Sequence, residues 1–340
     1  MTYKNSGVDI EEKEEAIKQL LSSIITKRKG TLGKPMGGHY AGLIEFGDYA
    51  LVLCTDGVGT KVRIAEALKK YDTVGIDCIA MNVNDALCVG AEPLAFVDYL
   101  AMEDPDPKIT KEIGKGLEKG AKQANISIVG GETADLPDLI NGFDLAGTCL
   151  AYVRKNRIIL GNKIQPGDTI IGLSSSGIHS NGYTLARRVV DEAEFSYEDE
   201  FPDGLYPGKT IGEVMLTPTR IYVKEIIELF KKIDVHGLAH ITGSGVWNIP
   251  RLKEKVRYVL DDPLEPQPIF AFLQQYGNID DYEMYQIFNM GMGFTVITAE
   301  EDAEETIHIL TKYSDASIKL VGTVKKGTGV EVPNLKLQYR

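Results

Sequence analysis

From Tyr49 to Thr55 the chain is apolar throughout, and it runs without a break into Asp56-Gly57-Val58-Gly59-Thr60-Lys61. A short apolar run that stops at glycine predicts a strand buried on both faces. The glycines let the backbone turn sharply and present N–H groups at the strand mouth, beside a carboxylate. N–H donors suit phosphate, and carboxylates suit magnesium, which prefers oxygen ligands and shares them with phosphate. Asn84-Asp85 and Gly130-Gly131-Glu132 repeat the pattern in the first half of the chain.

The surrounding segments alternate between helix and strand signals. Residues Ile10 to Lys27 carry apolar side chains at helical spacing, with Asp9 and Glu12 set as a capping box. Gly30, Gly33, Gly37, Gly38 and Gly42, with Pro35 among them, predict a mobile loop. Helices are expected at 77–88 and 108–124, and strands at 93–101, 126–129 and 145–153. The polar stretch from Arg154 to Gly167 marks a boundary, giving domains 1–158 and 165–340. Beyond it, strands are expected at 169–173, 237–241, 256–260, 293–298 and 318–323. Helices are expected at 183–191 and, started by Thr217-Pro218, up to Lys232. Residues 191–212 are acidic and rich in proline and glycine, an exposed excursion. The pattern is that of a two-domain α/β protein of the α+β type.

At 340 residues the chain is long enough for a large core, and at net charge −12 it lacks the basic surface that nucleic acid or membranes attract. No apolar run approaches the ~20 residues of a membrane span. The N-terminus is polar and lacks the apolar core of a signal peptide. Cys54, Cys78, Cys88 and Cys149 form no C-x-x-C pair and sit in apolar surroundings, so buried free thiols and a reducing cytoplasm are expected. Neither a P-loop nor a dinucleotide fingerprint is present: Gly204 to Thr210 is one residue short of the first, and Gly114, Gly116 and Gly120 lie in a helical pattern.

Asp77, Asn84 and Asp85 fall at i, i+7 and i+8, on one face of their helix. The bland alternative makes Asp77 a helix cap and Asp85 a surface charge. Asp56 and Glu132 at two strand ends favour a magnesium–ATP site instead. Lys34, Gly37 and Gly38 could close over phosphates, and Lys61 could meet one. Ser174 to Gly182 follows a strand and opens a helix, and contains Ser176, His179, Ser180 and Asn181. It could hold a phosphoribosyl group, or it could be a capped turn with a surface histidine. His236 and His240 are four apart, but a strand-like run between them argues against a metal pair. His240 to Gly245 is a second candidate anion turn, and Asn289 a candidate ligand-facing amide.

Taken in order, these segments resemble the aminoimidazole ribonucleotide synthetase family, also called phosphoribosylformylglycinamidine cyclo-ligases. The matching pieces are residues 3–9, 56–61, 75–85, 90–93, 130–134, 175–183, 218–223, 239–243 and 284–291, nearly the whole chain. Two positions depart from the pattern: His39 stands where the family has Phe, and Ser244 where it has the middle of three glycines. The resemblance implies a homodimer whose N-terminal sheets pair into a barrel, with ATP near that interface and a C-terminal α/β, sandwich-like domain completing the substrate site. It implies conversion of formylglycinamidine ribonucleotide and ATP to aminoimidazole ribonucleotide, ADP and phosphate. His179, Asp85 and Lys61 become the expected catalytic groups, and Asp56, Asp85 and Glu132 the expected magnesium ligands. Lys34, Gly37, Gly38, Asp56, Gly57, Asp77, Asn84 and Gly131 would bind ATP and its phosphates, and Ser176, Ser180 and Asn181 the substrate. Thiamine-monophosphate kinase, selenophosphate synthetase and a hydrogenase-maturation dehydratase share the ATP half, and a non-catalytic nucleotide sensor is a further reading.

Overall fold

The computed structural model describes residues 10–26, 28 and 32–339. Asp9, Lys27, Gly30 and the match at residues 3–9 lie outside the described residues. Helix α1, Ile10–Ser23, ends before the position expected from its periodicity. Its apolar stripe, including Leu20, Leu21 and Ile24, is exposed.

The first sheet contains β1 (Pro35–Met36), β2 (Gly42–Phe46), β3 (Tyr49–Gly57), β4 (Glu92–Met102), β5 (Ser127–Asp135) and β6 (Phe143–Arg154). Their spatial order is β1-β2-β3-β6-β4-β5, with only β4 and β5 parallel. Helices α2 (Val62–Ala67), α3 (Val74–Leu87) and α4 (Pro107–Ala124) belong to this half. Ala50, Val52 and Cys54 of β3 face the α3 side and are buried, while Leu53 between them is 47% exposed. The expectation of a strand buried on both faces is thus corrected: β3 alternates, and one face of the sheet is left open among the described residues. Each inward aliphatic side chain such as Val52 contributes about 1.5–3 kcal/mol by leaving water.

The second sheet contains β7 (Thr169–Ser174), β8 (Gly237–His240), β9 (Arg257–Val259), β10 (Met292–Thr298), β11 (Ile318–Lys325), β12 (Val330–Val332) and β13 (Leu337–Tyr339), ordered β13-β12-β9-β11-β7-β10-β8. All pairs but β9–β12 are antiparallel. β10, between β7 and the edge strand β8, is buried along its whole length. Around it lie α5 (Tyr183–Glu192), α6 (Ile211–Met215), α7 (Val223–Phe230), α8 (Pro268–Gly277), α9 (Asp281–Ile287) and α10 (Ala303–Tyr313). The two-domain α/β class is as the sequence suggests. All four cysteines are buried and free. Among the described residues no helix is long and apolar enough to cross a membrane.

Two elements differ from expectation. Gly130-Gly131-Glu132 lies inside β5, paired with β4, and is not a turn after a strand. Thr217-Pro218 does not start a helix; α7 begins at Val223, because the intervening backbone is used to bind the other domain, as described below. The acidic stretch does hold order at its end, where Thr210 and Glu213 form a capping box for α6.

Glycines bring α3 and α4 into close contact. A Cβ at Gly75 would lie 2.2 Å from the Leu117 nitrogen, and one at Gly116 would lie 2.9 Å from the Asp72 carbonyl oxygen. The obstacles are backbone atoms, which cannot rotate away. Gly75→Ala should therefore cost about 1–3 kcal/mol by forcing the helices apart; an unchanged denaturation midpoint would show that the packing has slack.

A candidate active site at the domain seam

Asp56 ends β3, and its Oδ1 accepts a 2.7 Å hydrogen bond from the Gly57 N–H. Asp85, in the last turn of α3, accepts from Nδ1 of His240 at 2.8 Å across the domain seam. The two carboxylates repel one another: crowding by protein atoms raises the Asp56 pKa, and the negative charge of Asp85 raises it further. Asp56 remains exposed as a residue, so the pair faces an accessible mouth. The donors are all oxygen, which fits a hard cation; magnesium commonly takes one or two carboxylates and completes its shell with water and phosphate. Among the described residues there is no cluster of three or more His, Cys, Asp or Glu able to hold a metal.

Strand register explains why Glu132 is apart from this pair. Asp56 pairs with Gly147, which also pairs with Asp98, which pairs with Gly131. Paired residues share a face, so Asp56 and Asp98 lie on the helix-covered side, and Glu132, opposite Tyr99, lies on the open side. Gly131 is required for space, since a Cβ there would sit 2.5 Å from Asp98 Oδ1. Asp98 is the acidic group that sequence reading overlooked; burial raises its pKa. Its signal was available: Phe96, Asp98 and Leu100 fall on the inward side of a period-2 strand.

Lys61 is held within the chain. Its ammonium is fully buried and donates to Asp77 Oδ1 (2.9 Å), the His179 carbonyl (2.9 Å) and the Thr217 carbonyl (2.7 Å). All three of its donors are occupied, which leaves none for a phosphate. Burial lowers its pKa, and Asp77 opposes that shift. Asp77 is held with it: three residues into α3, past the cap position, its Oδ1 also accepts from the Thr219 N–H and hydroxyl. Asn84 is equally occupied, donating to the Arg220 carbonyl and accepting from the Tyr222 N–H at 3.0 Å. The shared face of α3 is real, and Asp77 and Asn84 on it clasp residues 219–222.

His179 is also buried, with a backbone φ of 68°. Its Nε2 accepts from the Ser176 N–H at 3.1 Å. Burial holds its pKa well below the usual range, and His240, Lys61 and Arg220 push the same way. The ring is enclosed and shapes its own turn. The Ser176 hydroxyl is bound to the Pro218 carbonyl, and that of Ser180 shares a hydrogen with Thr219, 3.1 Å away. Asn181 is freer: its amide has only a 3.9 Å contact to the Met81 sulfur. Asn289 is buried and donates to the Gly177 and Ile178 carbonyls, so it supports the same turn instead of facing a ligand. His236 binds Asp168 at 2.7 Å, and no histidine pair forms. In the His240–Gly245 turn Ser244 adopts φ 139°, a conformation that favours glycine, as the family pattern has it.

The glycine-rich segment is tied down at both ends. Pro35–Met36 pair with β2, and the Tyr40 hydroxyl donates to the Asn248 carbonyl at 2.7 Å. Arg251 stacks on the Tyr40 ring at 4.5 Å and donates to the His39 carbonyl. Lys34, Gly37 and Gly38 are exposed. His39 packs edge-on against Tyr40, and burial first, then Arg251, lowers its pKa to about 4.

Lys61→Met would leave Asp77 buried and uncompensated, and should destabilise the chain by about 3–5 kcal/mol; a loss under 1 kcal/mol in chemical denaturation would refute this. His39 takes a proton near 6.5 when unfolded but only near 4 when folded. Falling pH between these values therefore favours unfolding. The stability advantage of His39→Phe over the wild type should grow as pH drops from 6.5 toward 4; parallel pH curves would contradict it.

Comparison with known proteins agrees with this architecture. The model described as "AIR synthase related protein, N-terminal domain" matches residues 38–153, and its C-terminal counterpart matches 165–333. A phosphoribosylformylglycinamidine cyclo-ligase of Methanosarcina mazei is 51% identical over 99% of this chain and 98% of its own length. One of Methanocaldococcus jannaschii is 55% identical over 92% and 89%. Among solved structures, thiamine monophosphate kinase of Aquifex aeolicus shares the fold at TM-score 0.61 and 15% identity, covering 97% of this chain and 99% of its own. HypE of E. coli does so at TM-score 0.61 and 16% identity, covering 85% and 84%. By sequence along both domains, and by the sheets that carry its carboxylates, the chain belongs to the AIR synthase family.

Proposed function

We infer that the chain is a phosphoribosylformylglycinamidine cyclo-ligase, closing the imidazole ring of a purine precursor at the expense of ATP. The observation that carries this reading is near-complete, two-domain similarity to cyclo-ligases at about half identity, together with an accessible carboxylate pair where the domains meet.

The chemistry has two parts. The substrate's amide oxygen attacks the γ-phosphorus of ATP and ADP leaves, which converts a poor leaving group into a phosphate ester of an imidic acid. The amidine nitrogen then attacks the same carbon, the C–O bond breaks, inorganic phosphate departs, and nitrogen loses a proton. The first part needs positioning and charge neutralisation more than covalent help. The second is unimolecular, since both reacting groups belong to one substrate. Asp56 and Asp85 are the residues that would hold magnesium, which neutralises phosphate charge when bound. Glu132 would join them only in the assembled dimer, whose interface lies on its face of the sheet. His240 fixes the orientation of Asp85. Exposed Lys34 and the backbone of Gly37 and Gly38 neutralise phosphates. Asn181 contacts the substrate, on a turn held by His179 and Ser180. A cytoplasmic homodimer completes this reading. Leu53, Val97 and Tyr99 are 40–47% exposed on the open face of the first sheet, as expected of a surface covered by a second copy.

Incubation with formylglycinamidine ribonucleotide and ATP should release ADP only when both are present, and Asp85→Ala should abolish that release while preserving the fold by circular dichroism. Full turnover by this variant would remove the carboxylate assignment. Val97→Glu with Tyr99→Glu should convert a dimer to a monomer in sedimentation equilibrium; a wild type that is already monomeric would sink the dimer.

A further inference from the structure

At the seam lies a cleft of about 650 Å³, lined by Ser176 and by Pro218 to Ile221 of the clasp segment. None of Asp56, Asp85, Asn181 or His240 lines it. Its cations come from both domains: Lys119 and Lys122 from α4, Arg220 from the clasp segment and Lys224 from α7. Against these four stand Glu225 and Asp315. Glu225 is buried and accepts a 2.7 Å hydrogen bond from the Ser314 hydroxyl, and burial raises its pKa. Asp315 pairs with Arg220 from a 91% exposed position. Lys122 reaches back to Glu118, but the ammonium groups of Lys119 and Lys224 have no partner among the described residues. Arg220 Nε is buried without a hydrogen-bond acceptor. In a chain of net charge −12, unpaired cations facing one cleft are unusual, and an inward N–H with no acceptor is an unmet demand.

We propose that this cleft binds a phosphorylated small molecule, with Lys119 from one domain and Lys224 from the other holding a phosphate between them and Arg220 supplying its buried N–H. The consequence is mechanical. Thr219 and Arg220 line the cleft, and the same two residues bind Asp77 and Asn84 of α3. An anion there would cross-link the domains at their clasp, so its binding reads out as stability of the seam.

The probe is inorganic pyrophosphate, added without magnesium to the full chain and followed by thermal melting, with sodium chloride at matched ionic strength as control. Pyrophosphate should raise the melting temperature by about 2–4 °C, and the shift should shrink with added salt. It should persist in Asp85→Ala, where the carboxylate mouth is disabled, and vanish in Lys119→Ala with Lys224→Ala. Both lysines are exposed, so this variant should melt like the wild type without the probe. A shift that survives the double lysine variant, or one lost in Asp85→Ala, would overturn the proposal, as would no shift beyond the salt control.

Discussion

A fully buried lysine holds the two halves of this protein together. Burying an ammonium costs several kcal/mol unless every donor finds a partner. Lys61 meets that demand with one carboxylate from its own domain and two carbonyls from the other. The requirement runs both ways, because Asp77 in turn fixes Thr219. The domains cannot rotate freely about each other without exposing an unpaired charge to an apolar interior. The Asp85–His240 contact lies along the same helix, so the mouth inherits its geometry from this seam.

Helix α3 is therefore constrained on two sides. Toward α4 it has glycine, which lets two backbones touch. Toward the second domain it presents Asp77, Asn84 and Asp85 at helical spacing. A helix pinned this way holds its last turn at a fixed height above the end of β3, where Asp56 stands.

Much of this was legible in the sequence. Period and glycine punctuation gave most strands within two or three residues, and the ordered motifs pointed to the family. Side-chain roles were less legible, because a motif shows that residues belong together without showing what they touch. Lys61, Asp77 and Asn84 share a helical face or follow a strand mouth whether they bind phosphate or each other. Only the second domain, 118 or more residues away in sequence, decides what they touch. Register was similarly hidden: Glu132 and Asp56 look equivalent as residues near strand ends, until pairing puts them on opposite faces. Thr217-Pro218 carried a good local start signal for a helix, and long-range hydrogen bonds from α3 overrode it.

The tethered glycine segment has a kinetic corollary. Between the two-residue ladder at Pro35–Met36 and the anchors at His39 and Tyr40, only Gly37 and Gly38 are slack. Gly38 is itself crowded, since a Cβ would lie 2.1 Å from the Ala41 carbonyl oxygen. So short a span cannot swing like a gate. Larger excursions must unzip the β1 ladder first, together with the bonds that join Gly33 and Lys34 to Glu45, which makes the motion a peeling one, restored by the tether of Tyr40 to Asn248.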